Sequence, residues 1–202
     1  MTERRSQEER RSEAEQRLLA AAAELIGEIG PSRVTLANIG ERAGYSRGLA
    51  THHFGSKGAM MQRLVDSVGV DFREEVLAES ASASALDEAL GLVRAYFHTL
   101  AHPRAANRAR LVLWADAVAA GSSDVRSAVL ASDREFRDEI AKRIERGVAS
   151  GEFAGSLDPR GFATVIIGML RGVALQSMLD DGVDLDACRI EVETVLKGRL
   201  AP

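Results

Sequence analysis

The chain has 202 residues, 46% of them hydrophobic and 28% charged, a composition that supports a sizeable core and one or two domains. No apolar run approaches the roughly 20 residues that span a bilayer, and "MTERRSQEERRSEAEQR" has no apolar stretch behind its charges as a secretory signal would. The net charge is −4 and the single cysteine, Cys188, excludes an intramolecular disulfide, so the expectation is a cytoplasmic protein with no membrane partner.

Residues 1–12 interleave Arg4, Arg5, Arg10 and Arg11 with glutamates and predict a charged, disordered tail. Residues 13–29 place Leu18, Ala22, Leu25 and Ile29 on one stripe at helical spacing, and Gly30 and Pro31 stop it. Thr35 stands before "LANIGERA" as the N-cap of a second helix, which Gly44 ends. Ser46 is expected to cap a third, barely two turns long, reaching Phe54, and Ser56 a long fourth from Lys57. Apolar-periodic segments follow at 86–101, 104–120, 124–150 and 159–180, with a last at 186–200, and each break carries Gly, Pro or a capping residue. No segment of useful length has strand period, so the expected fold is all-α with about nine helices.

The charge is unevenly spread. Residues 1–57 hold 9 Lys/Arg against 8 Asp/Glu, the remainder 17 against 22, and within 33–57 only Glu41 opposes Arg33, Arg42, Arg47 and Lys57. That basic stretch coincides with two short helices around a glycine turn, the spacing of a helix-turn-helix, in which the second helix enters the DNA major groove. Ile39, Ala43, Ala50 and Phe54 can pack inward. Arg47 and Thr51 share the other face with His52 beside them, and Leu49 and His53 form a neighbouring pair. Arginine can bond guanine O6 and N7 together, threonine offers a donor or a methyl, and histidine reaches a base edge or a phosphate.

The run "VTLANIGERAGYSRGLATHHFGSKGAMM" resembles the DNA-binding domain of the tetracycline-repressor (TetR) family. The resemblance makes Thr35 a capping, phosphate-touching threonine. It makes Arg47, Gly48 and Leu49 the start of the recognition helix, Phe54 its buried end and Lys57 a phosphate lysine; Ser46 belongs to the same turn. Thr51 replaces the family's usual tyrosine and Ala50 its leucine. The implied organisation is a tail over 1–12, a three-helix DNA-binding domain over 13–57, and a helical ligand-binding and dimerisation domain over 58–202. The arginines of the tail could follow the minor groove, but their acidic neighbours favour an ordinary tail.

Two ionisable residues sit in apolar helices of the second part. Asp116 lies beside Trp114, and Arg171 precedes Gln176 by five residues. Either the two neutralise each other, or one orients a ligand in a pocket lined by Phe97, Trp114, Phe162, Met169 and Met178. The last two helices resemble the family's dimerising bundle: Gly168 and Gly172 permit a close crossing, and Val192, Val195 and Leu196 form an apolar stripe. His98 and His102 are four apart with no third ligand evident, so no metal is expected, and no cofactor or catalytic arrangement stands out. The expectation is a homodimeric regulator of a palindromic DNA operator, released by an unidentified small-molecule effector; the alternative is the same reader working without a ligand.

Overall fold

A computed structural model of the chain describes residues 7–79, 84–119 and 124–201. Among these residues there are nine helices and no strand: α1 (Gln7–Ile29), α2 (Leu36–Arg42), α3 (Leu49–Phe54), α4 (Lys57–Glu79), α5 (Ala85–Ala101), α6 (Ala105–Ala119), α7 (Asp124–Ser150), α8 (Pro159–Leu179) and α9 (Leu185–Leu200). The expected tail is corrected at its inner half, because residues 7–12 are the first turns of α1. Its outer half, with Arg4 and Arg5, lies outside the described residues.

The chain forms two compact units that do not part at Lys57. The first holds the described residues up to Gly69 together with those of Arg104–Leu130; the second holds those of Val70–Pro103 and of the chain from Ala131. The reason for the first grouping is burial. α2 and α3 are only seven and six residues long and add few buried side chains, so Met60, Leu64 and Val68 of α4 and Ala109 and Leu113 of α6 complete the core begun by Leu18, Ala22, Ile26, Val34, Ile39 and Ala50. α1 lies along α6, where Arg108 Nε donates to the Gly27 carbonyl at 3.0 Å.

In the second unit α5 packs on α8 and α9. Phe72 meets Tyr96 and Phe136 edge-to-face with centroids 5.5 Å apart in each pair, geometry that aromatic quadrupoles favour. Glu193 is buried and neutralised by Arg189 Nη1 at 2.8 Å and Arg94 Nε at 3.4 Å, as a carboxylate removed from water must be. Asp158 caps α8 through the amides of Arg160 and Gly161, with Pro159 in the first turn.

α8 is long and apolar enough, by length and composition, to cross a bilayer. It is apolar on two sides: Phe162, Ile166, Ile167, Leu170 and Ala174 are buried in the unit, while Val165 and Leu179 face out of it. A helix apolar all round is normally covered all round.

Candidate nucleic-acid interface

α2 is fixed at both ends by hydrogen bonds to its backbone. Thr35 Oγ1 accepts from the Asn38 amide at 3.2 Å and Asn38 Oδ1 accepts from the Thr35 amide at 2.8 Å, a reciprocal box that starts α2. At the other end the Tyr45 amide reaches the Gly40 carbonyl at 2.8 Å and the Gly44 amide reaches Glu41 at 3.0 Å, the paired closure of a Schellman cap. Gly44 has φ +79°, a left-handed value that costs only glycine nothing. Gly40 is required for a different reason: a Cβ there would stand 2.6 Å from the Ser46 carbonyl oxygen, so the turn folds directly over it.

That closeness corrects the expected start of the third helix. The Leu49 amide bonds the Ser46 carbonyl at 3.1 Å, closing a turn over 46–49, and α3 begins at Leu49 with Gly48 as its cap. Ser46 therefore contributes no side-chain cap to α3. Ser56 does cap α4, its Oγ accepting from the Ala59 amide at 3.1 Å.

Arg47, Thr51 and His52 are exposed together, Arg47 with 77% of its side chain open and its Nε on Glu41 Oε1. Ser46 and Gly48 are exposed beside them and Leu49 is half-buried. Thr35 keeps its hydroxyl hydrogen free to donate outward, because its oxygen is the capping acceptor. Lys57 reaches back to the Ser32 carbonyl at 3.1 Å. Ala50 is fully buried and Phe54 packs on the core, as the spacing indicates.

His53 is the exception among the expected contacts. Its side chain is only 9% exposed and its Nε2 lies 3.1 Å from Glu15 Oε2; since a carboxylate only accepts, Nε2 carries the hydrogen. Its ring also meets Phe54 edge-to-face at 4.7 Å. The other Glu15 oxygen takes Arg63, whose Nε stands at 3.0 Å. One carboxylate thus ties α1, α3 and α4 together, and the Arg63 bond first, then His53, holds Glu15 below the usual carboxylate range against the opposing pull of burial. Arg42 is likewise structural: it takes Glu28 at 2.8 Å and Glu24 at 3.2 Å across to α1, its pKa raised by Glu28 first. Sequence reading missed both ties, since nothing in the spacing of Glu15 and His53 shows that the helices carrying them meet.

Residues 18–64 match the family model described as bacterial regulatory proteins of the tetR family, and residues 85–201, more than half of the chain, match that of the C-terminal part of BetI-type transcriptional repressors. The chain belongs to the TetR family. It is a DNA-binding transcriptional regulator, and its all-helical architecture is that of the family. Among relatives, the HTH-type transcriptional regulator BetI 1 of Chromohalobacter salexigens is 24% identical over 175 residues, 85% of this chain and 83% of its own. A TetR regulator from Chloroflexus aurantiacus superposes with a TM-score of 0.83 at 20% identity, covering 95% of this chain and 98% of its own. A regulator from Saccharomonospora viridis, solved in complex with choline, superposes at 0.79 with 22% identity, covering 95% of this chain and 99% of its own.

The remaining sequence candidates of this TetR-family chain are scattered. Trp114 and Asp116 belong to the first unit, whereas Phe97, Phe162, Met169, Arg171, Gln176 and Met178 belong to the second. Arg171 pairs with Asp133 of α7 rather than with Asp116, and Arg137 takes the other Asp133 oxygen at 2.5 Å. Phe97 and Phe162 are buried, Met169, Arg171 and Met178 half-buried, and Gln176 exposed. Phe97 borders a groove of about 630 Å³ with Arg94, His98, His102 and Arg189. Of the residues expected at a subunit contact, Val192 and Leu196 are buried inside the unit, because they are the face of α9 that lies on α5 and α8. Gly168 and Val195 are exposed and Gly172 is half-buried, and the exposed Val165, Leu179 and Ile190, which the sequence reading passed over, join them.

Proposed function

We propose that this regulator is a homodimeric repressor that reads a two-fold-symmetric operator and leaves it when a small molecule binds. The observation that carries the reading is the sorting of α3 and the turn before it: Arg47, Thr51 and His52 exposed on one side, Ala50, His53 and Phe54 turned to the core on the other. Arg47, Thr51 and His52, with Leu49 at their edge, would read base edges. Thr35, Lys57 and the exposed turn Ser46–Gly48 would hold phosphates and set the register. His53 leaves the set of contacts and becomes a support.

Dimerisation is supported by the outward apolar face of α8 and α9, with Leu179 90% exposed and Val165, Ile190 and Val195 about half exposed. The open sides of Gly168 and Gly172, where a Cβ would meet nothing within 4 Å, leave room for a second chain to approach closely. For the effector, the BetI-type match and the choline-bound neighbour make a small organic cation the first class to test. The Phe72, Tyr96 and Phe136 rings of the second unit are buried and packed edge-to-face about Phe72, so they present no open face to such a cation. Asp133, one turn before Phe136, already carries Arg171 and Arg137.

Selection of bound duplexes from a random library tests the reader. The expected winner has two inverted half-sites about 34 Å apart centre to centre, one helical turn or a multiple; an asymmetric winner, or none, overturns the reading. Choline titrated into the winning complex tests the effector class: release supports it, and an intact complex at millimolar choline rejects it.

A further inference from the structure

The stripe of α1 that enters the core through Leu18 does not stop where the core stops. At about 100° per residue, Gln7, Arg11, Ala14 and Leu18 fall on one line, with Arg10 and Glu15 at its edges. Beyond Leu18 this line becomes one wall of an open groove of about 1050 Å³, whose other wall is Leu49, His52 and His53 of α3. Two exposed arginines, Arg10 and Arg11, thus border a groove shared with the helix that presents His52 and follows Arg47.

Among the described residues neither arginine has an ion pair. The carboxylate deepest in the groove, Glu15, is already taken by His53 and Arg63. Glu8 is the other acid on the wall. Three other exposed arginines of this unit are matched, Arg17 to Glu13, Arg42 to Glu24 and Glu28, and Arg47 to Glu41, so what sets Arg10 and Arg11 apart is their place on the groove that α3 shares. Unmatched guanidinium groups beside a recognition helix face the strand that borders its groove, where phosphates are the available anion.

We propose that Arg10 and Arg11, on the first turns of α1, bind the phosphate backbone of the strand bordering the major groove that α3 enters. This rests on the DNA reading above and extends the contact surface beyond the helix-turn-helix. The two add affinity without sequence preference, and the Glu15 tie to His53 keeps α1 and α3 in fixed register while they do so.

The test uses the full chain, the selected operator and an unrelated duplex, each titrated between 50 and 200 mM salt. Wild type is compared with Arg10→Gln/Arg11→Gln and with Arg17→Gln, which lies on the same helix outside the groove. Losing two phosphate contacts makes the slope of log affinity against log salt shallower by roughly 1.8, so the fourfold rise in salt costs the double variant roughly twelvefold less than wild type. The expected result is that change on both duplexes, with base preference intact and Arg17→Gln at the wild-type slope. Equal slopes for wild type and the double variant overturn the proposal, as does a changed base preference, which would make these base contacts. A wild-type protein with no salt-dependent duplex binding is a separate result: it removes the DNA reading, and this proposal with it.

Discussion

Arg47 stands in the turn before α3 rather than inside it, and Glu41 holds its Nε while most of the side chain remains open. That leaves its terminal nitrogens free for the two-point contact with guanine that gives arginine its discriminating power. Arg47→Ala is expected to weaken specific binding by roughly 1–3 kcal/mol and relax one base position, read by competition with operators altered one base pair at a time. Gly40 is the opposite kind of residue, silent in binding and decisive in folding. A methyl there meets the backbone oxygen of Ser46 at 2.6 Å, and backbone cannot swing aside. Gly40→Ala should therefore destabilise the first unit by about 1–3 kcal/mol, the usual cost of overpacking, measured by denaturant unfolding.

At the scale of elements, α3 is six residues long and far too short to hold itself. Its position comes from Ala50 and Phe54 in the core and from the Glu15 hub to α1 and α4. Glu15→Gln is expected to lower operator affinity while leaving base preference unchanged, because it loosens the helix without touching its reading face; competition binding separates the two effects. The same hub gives a pH dependence. Glu15 has a folded-state pKa below its ordinary value of 4.5, so its contribution is complete above that value and lost as pH falls through the lower, folded one. Acid unfolding of Glu15→Gln should accordingly be less steep than that of wild type over this range.

These elements also show what the sequence could and could not convey. Glycines and caps punctuate the chain so strongly that every helix is legible, and the turn around Gly44 with its outward Arg47 and Thr51 is legible with them. His53 was misplaced because adjacent positions on a two-turn helix differ by only about 100°, and the partner that draws it inward is 38 residues away. Val192, Val195 and Leu196 read alike as one stripe, yet the structure buries two of them and exposes the third. An apolar stripe states that a face will be covered, not by what.

For the whole molecule, the proposed reading of a two-fold operator requires two reading heads at a fixed spacing, and the outward apolar face of α8 and α9 is the surface proposed to set it. Ile190→Glu with Val195→Glu should yield a folded single chain, since exposed substitutions usually change stability by less than about 0.5 kcal/mol. It should also abolish tight operator binding. Sedimentation and operator titration report the two outcomes together. The most direct measurement on the central claim is sedimentation of the wild-type protein with the selected operator and with a duplex in which one half-site is scrambled. Two chains on the intact operator, and a steep loss of affinity on the scrambled one, are expected of a dimer reading both halves through α3. A single chain bound equally well to both duplexes would contradict it.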